Sequence, residues 1–176
     1  QSTVQIGVCI SDAETDELVG VADVCNLGFP STFDFKQYFL EFIKNNLYDA
    51  RIDTFFYEIP VEHGENLHVR KVLNALRSFI SDFPHYVPSL EDAKMVEINN
   101  RTWKTHFLAS DVYTGSKSKN KDVKQYAMEE TIARYPNLQM YCQSFSKPPD
   151  SCDAVGIMYG GLEEIRATFD KSFQKI

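Results

Sequence analysis

The chain has 176 residues, 43% of them hydrophobic, with 13 Phe and 9 Tyr, and a formal charge of −7. That is the length of one globular domain with enough apolar material for a core, which excludes a disordered chain. No apolar run approaches the ~20 residues that cross a bilayer, and the negative total excludes a polycation that coats nucleic acid, although local basic patches decide contact.

Taken in chain order, residues 3–10 and 18–24 are rich in β-formers, and the polar linker Ser11 to Glu17 has turn composition, so the chain opens with a β-hairpin. Phe33 to Tyr48 repeats apolar residues every three to four positions and predicts a helix. Asp53 to Ile59 is a continuous apolar run stopped by Pro60, the pattern of a strand buried on both faces. A second helix is expected from about Asn66 to Phe83, then a loop from Pro84 to Asp92 and a short strand, Lys94 to Ile98. A helical segment around Trp103, a polar basic loop (Thr114 to Lys121) and a third helix, Asp122 to Tyr135, follow. Pro148-Pro149 halts the chain, and Asp150 to Phe169 reads as a final helix with acids in its first turn. With no repeat or linker visible, residues 1–176 read as one α/β domain with a mixed sheet.

The four cysteines, Cys9, Cys25, Cys142 and Cys152, include no Cys-x-x-Cys pair. Zinc is therefore not expected, and free buried thiols predict an intracellular, reducing compartment: cytoplasm, or nucleus or organelle in a eukaryotic cell.

Two acidic features stand out. Glu58 ends the most apolar strand, at the kind of sheet edge where open α/β sheets bind ligands, although an edge carboxylate that simply reaches solvent has the same pattern. Asp150 and Asp153, three apart, share one face at a helix start. Helix capping alone accounts for such a pair. The small apolar run Ala154-Val155-Gly156-Ile157 after it predicts close packing on the sheet, with the first turn aimed at the edge that carries Glu58. Three acids converging without an internal cation call for a hard divalent ion, Mg²⁺ or Mn²⁺.

In order and spacing, Glu58 after an apolar strand, a long helix, a Val-x-Ile strand running into Trp103-Lys104, a loop ending in Lys121, and Asp-x-x-Asp-Ala at the last helix resemble the RuvC-like Holliday junction resolvases of the ribonuclease H-like superfamily. The resemblance implies a mixed five-stranded sheet flanked by helices. It also implies metal-assisted phosphodiester hydrolysis, in which two divalent ions ~4 Å apart activate a water and stabilise the leaving 3′ oxygen. On the family pattern Glu58, Asp150 and Asp153 match three of four metal-binding acids, and Lys104 and Lys121 match lysines near the scissile phosphate. The family's first acid precedes a Gly by about seven residues. Counting back from Gly7 lands just before Gln1, so the expectation is that this ligand directly precedes Gln1; Asp12 and Asp16, in the hairpin turn, are poor substitutes.

From Arg101 to Lys124 six basic residues (Arg101, Lys104, Lys117, Lys119, Lys121, Lys124) face only Asp111 and Asp122, a local balance of +4. That patch reads either as a solvated loop or as a contact for DNA phosphates without base reading, with Arg70 and Lys71 adding to it. The family implies a homodimer, since two symmetric nicks across a four-way junction need two active sites. The leading expectation is a magnesium- or manganese-dependent endonuclease that resolves branched DNA. The alternatives are a catalytically silent branched-DNA-binding protein and a ribonuclease H-like nuclease acting on RNA–DNA hybrids.

Overall fold

The β-formers at the start of the chain pair as expected. In the computed structural model, which describes residues 5–25, 32–47, 50–58, 78–108 and 123–173, β1 (Gln5–Ser11) and β2 (Leu18–Cys25) form a two-stranded sheet. The connection is too short for a parallel crossover, so the pair is a hairpin. Its turn is organised by Asp12, whose Oδ1 accepts from the Glu14 and Thr15 amides at 2.9 and 2.8 Å and from the Thr15 hydroxyl at 3.0 Å. These bonds, the Thr15 amide first, hold the Asp12 carboxyl below its ordinary range. Asp16 takes a φ of 58°, a left-handed conformation that a short polar side chain tolerates.

Contacts divide the chain into two units, one of residues 1–4 and 25–97, the other of 5–24 and 98–176. The first contains α1 (Thr32–Asn46), β3 (Thr54–Tyr57), helical residues 78–86 (α2), a 3₁₀ turn at Pro88–Leu90 and β4 (Lys94–Glu97). β3 and β4 pair in parallel, in register from Thr54↔Lys94 to Tyr57↔Glu97. Parallel strands need a long crossover, usually helical, and α2 lies in the chain between them. Phe83 is the centre of this unit's core, with its ring 5.7 Å from Phe39, 5.7 Å from Phe55 and 5.3 Å from Phe79.

Two local expectations change here. All four β3 residues are half-buried rather than buried on both faces, because among the described residues β3 pairs only with β4. The loop expected from Pro84 begins later: α2 runs to residue 86, where burial of Phe83 and Val87, four apart on one face, continues the helix past the proline. The part of this helix expected from Asn66 to residue 77 lies outside the described residues.

The second unit is built on its last helix, α6 (Asp150–Phe173), which packs on β1, on α3 (Asn100–Phe107) and on α4 (Val123–Arg134). Asn99 caps α3 by accepting from the Arg101 amide at 2.8 Å. A 3₁₀ turn (Pro136–Leu138) and the five-residue α5 (Gln139–Gln143) lead toward α6. Close approach to α6 depends on glycine. A Cβ on Gly160 would lie 2.6 Å from Trp103 Cα, and one on Gly156 2.6 Å from the Trp103 ring, so the buried indole sits where only hydrogen fits. A Cβ on Gly7 would overlap the backbone of Asp150, so β1 meets the first turn of α6 main chain to main chain.

The element order is that of a mixed α/β protein, as the sequence predicts, and the described strands make two sheets of two strands each. No helix among the described residues is long and apolar enough to cross a membrane.

Candidate functional site

The acids singled out in the sequence stand together at the start of α6. The Asp150 and Asp153 side chains are about one-quarter exposed, and both face Lys124 at the start of α4. The Lys124 ammonium donates to Asp150 Oδ1 and lies 3.7 Å from Asp153 Oδ2. Acids that converge without an internal cation call for a metal ion. Lys124 supplies that cation, so the pair is neutralised in part by the chain itself. Lys124, expected on the DNA backbone, is thus engaged with the acids, because the first turns of α4 and α6 come within reach of one lysine side chain.

A third acid joins this end of the helix. Asp23, on β2, accepts the Ser151 amide on Oδ1 at 3.0 Å and the Tyr141 hydroxyl on Oδ2 at 2.8 Å. The first bond satisfies one of the amides that a helix start leaves without an intrahelical partner, and negative charge there also meets the positive end of the helix dipole. Burial, then the hydrogen bond and charge of Asp23, push the Tyr141 hydroxyl well above its ordinary range, so it stays a donor at any physiological pH. Sequence reasoning missed Asp23 and Tyr141. The signal for Asp23 was present, since a charge interrupting Val21-Ala22-Asp23-Val24 is the same anomaly as Glu58 after β3. The contact with Tyr141, 118 residues away, has no signal in one sequence.

Two buried thiols lie beside this cluster. Cys142 on α5 and Cys152 on α6 have their sulfurs 3.7 Å apart, and burial pushes both thiols above their ordinary range. The expectation of free cysteines holds for Cys9, Cys142 and Cys152. Cys9 donates to Met158 Sδ at 3.8 Å, tying β1 to the middle of α6.

Glu58 directly follows β3 in the first unit and is half-buried. Lys104, on α3, donates to Asn100 Oδ1 at 2.6 Å and lies 5.2 Å from the centre of the Trp103 ring, while Arg101 on the same helix is exposed. Asp12 and Asp16 belong to the hairpin turn, and Asp16 pairs there with Arg166 of α6. Lys117, Lys119, Lys121, Arg70 and Lys71 lie outside the described residues. Among the described residues no group of three or more His, Cys, Asp or Glu side chains is placed to hold a metal ion, and every buried side-chain nitrogen or oxygen has a partner.

No protein-family model matches the chain, and no curated protein matches its sequence.

Proposed function

We propose that the protein is a structure-selective DNA endonuclease of the RuvC-like type, which cuts four-way junctions or other branched DNA by divalent-metal-dependent phosphodiester hydrolysis. The observation that supports this most is the pairing of Asp150 and Asp153 on the first turn of α6, held there by Asp23 and by main-chain contact with Gly7. A five-stranded mixed sheet with flanking helices belongs to the same reading, and the β1–β2 hairpin and the parallel β3–β4 pair are connections it requires.

The donor set fits a hard ion, since Asp150, Asp153 and, on the family pattern, Glu58 offer only oxygen; these residues would hold Mg²⁺ or Mn²⁺, two ions in the family pattern. When bound, the metal supplies an activated water and stabilises charge on the leaving 3′ oxygen. The chain prepares for this with its own groups. Asp23 and Tyr141 fix the start of α6, so the acids are presented at a set position. Lys124 relieves repulsion between the carboxylates while no other cation is there, and once displaced its ammonium is available to a phosphate oxygen. Lys104 and Lys121 are assigned to the scissile phosphate, and Arg70, Lys71, Arg101, Lys117 and Lys119 to backbone contacts that carry no sequence information. A homodimer follows from the need for two symmetric cuts.

Lys124 also favours a second reading. Acids already paired with a lysine suit a branched-DNA-binding protein that does not cut.

The test is incubation of the purified protein with labelled four-way, forked and RNA–DNA hybrid substrates in Mg²⁺ or Mn²⁺. Nicks near the branch point are expected from the native protein. Asp153→Asn should abolish them and leave junction affinity equal or tighter, since a charge that repels phosphate is removed. Binding with no cutting in either metal selects the silent reading, cutting confined to the hybrid selects the ribonuclease reading, and neither binding nor cutting overturns the proposal.

A further inference from the structure

The thiols of Cys142 and Cys152 have no role in the function proposed above, yet their placement is specific. Their sulfurs are 3.7 Å apart, and each residue is only 1% exposed. A disulfide needs an S–S distance near 2.05 Å, so the sulfurs have to close by about 1.7 Å. The element that has to move is small. α5 is five residues long, residues 144–147 after it are all exposed, and its Met140 is 87% exposed. Apart from Cys142, the inward anchor of α5 is Tyr141 on Asp23.

We propose that Cys142 and Cys152 are an oxidisable dithiol, a modification site at which a hydroperoxide converts the pair to an intramolecular disulfide. In the first step a sulfur attacks the O–O bond of the peroxide; a sulfenic acid forms and, after proton transfer from the thiol, one water leaves. In the second step the other sulfur attacks the sulfenic sulfur, the S–S bond forms and a second water leaves. Two thiols lose two electrons in total and one hydrogen peroxide becomes two waters. Because both thiols are buried, reaction waits on local opening of α5, and the bond forms over minutes to hours.

The consequence is positional. Cys152 lies between Asp150 and Asp153, and the residue before Cys142 holds Asp23, which holds the Ser151 amide. A disulfide therefore fastens α5 to the first turn of α6 and fixes the acidic end of that helix more rigidly. This chemistry does not depend on the nuclease reading, so its test is independent of any cleavage assay.

The native, full-length chain is treated with hydrogen peroxide, then denatured, alkylated and analysed by intact and peptide mass spectrometry. The expected product has lost two hydrogens, contains a Cys142–Cys152 cross-linked peptide, and reverts on addition of dithiothreitol. Closing this short loop should raise the melting temperature by roughly 5–10 °C. Cys142→Ser and Cys152→Ala should each abolish both changes, whereas Cys9→Ser should abolish neither. Should both thiols still alkylate after denaturation, should one alone advance to a sulfinic acid, or should Cys9 or Cys25 supply the bond instead, the proposal fails.

Discussion

The two units solve the problem of packing helices on strands in opposite ways. In the first, large rings fill the space: Phe39, Phe55, Phe79 and Phe83 lie with centroids between 5.3 and 6.2 Å apart. In the second, space is removed instead, and Gly7, Gly156 and Gly160 let backbone and a single indole come into direct contact with α6 or its start. A ring cluster tolerates small adjustments because side chains can shift. A glycine contact does not, because one partner is main chain. The difference shows which unit sets a side chain's position most tightly. Asp150 is placed by the backbone of α6 against Gly7 and by the Asp23 bond to the next amide, not by a cluster of rings.

The largest effect should come from emptying the ring cluster. Phe83→Ala removes the shared neighbour of three aromatic residues and should destabilise by about 3–5 kcal/mol, with amide exchange rising first across α1, β3 and α2. Gly160→Ala tests the opposite strategy. It adds one methyl 2.6 Å from Trp103 Cα and should cost roughly 1–3 kcal/mol, with exchange rising across α3 and α6. A neutral outcome in urea melts would mean that α6 slides freely on α3 and that main-chain contact does not fix the acids.

Alkaline pH sharpens the comparison within the second unit. Burial suppresses the ionisation of Tyr141, Cys142 and Cys152 in the folded state, so the protonated forms favour folding. That stability is complete below the ordinary thiol range and is lost as pH climbs through and above it, first for the thiols near pH ~8.5 and then for the phenol near ~10. Melting temperatures should therefore fall progressively above about pH 8.5. Cys142→Ala should blunt the onset and Tyr141→Phe the later part of the decline. A flat profile would place these groups in water.

Smaller effects probe the charges. Lys124 is nearly half exposed, so Lys124→Gln should cost only about 0–1 kcal/mol, while Mn²⁺ binding by calorimetry should tighten as Asp150 and Asp153 lose their competing cation. Weaker Mn²⁺ binding would make Lys124 a support for the acids and not an occupant of their site. Comparable in size and opposite in sign is Gly20→Ala. Nothing lies within 4 Å of a Cβ there, so unlike Gly7, Gly156 and Gly160 this position should tolerate the methyl and gain about 0.5–1 kcal/mol from the chain entropy it no longer loses.

Elements with a strong period or composition were legible from the sequence: the hairpin, α1, β3, β4, α4 and α6 all fall within a few residues of their expected bounds, and α3 forms around Trp103. α5 was not, because five residues are too few to display a helical period. Helical residues beyond Pro84 were missed because a local rule about proline was outweighed by the burial of Phe83 and Val87. At the site, the pairing of Asp150 with Asp153 was legible because both lie on one turn. Lys124 on those acids was not, since a contact 26 residues distant is made by tertiary packing and leaves no spacing rule behind. The same holds for the contact of Asp23 with Tyr141 and the meeting of Cys142 with Cys152.

The second unit is interrupted in sequence: its hairpin lies in residues 5–24 and the rest begins at residue 98. Asp16 and Arg166, which join the hairpin turn to α6, are 150 positions apart. A ribosome adding about 5–20 residues per second delivers the start of α6 roughly 6–25 s after the hairpin that rests on it. For that interval β1 and β2 stand without their helix, exposed to pairing with another chain. The acidic turn between them, Asp12, Glu14, Asp16 and Glu17, then acts as a guard, since a second copy of the same hairpin meets four like charges. Once α6 arrives, Arg166 takes up one of those charges, and a residue that discouraged association during synthesis becomes part of the finished fold.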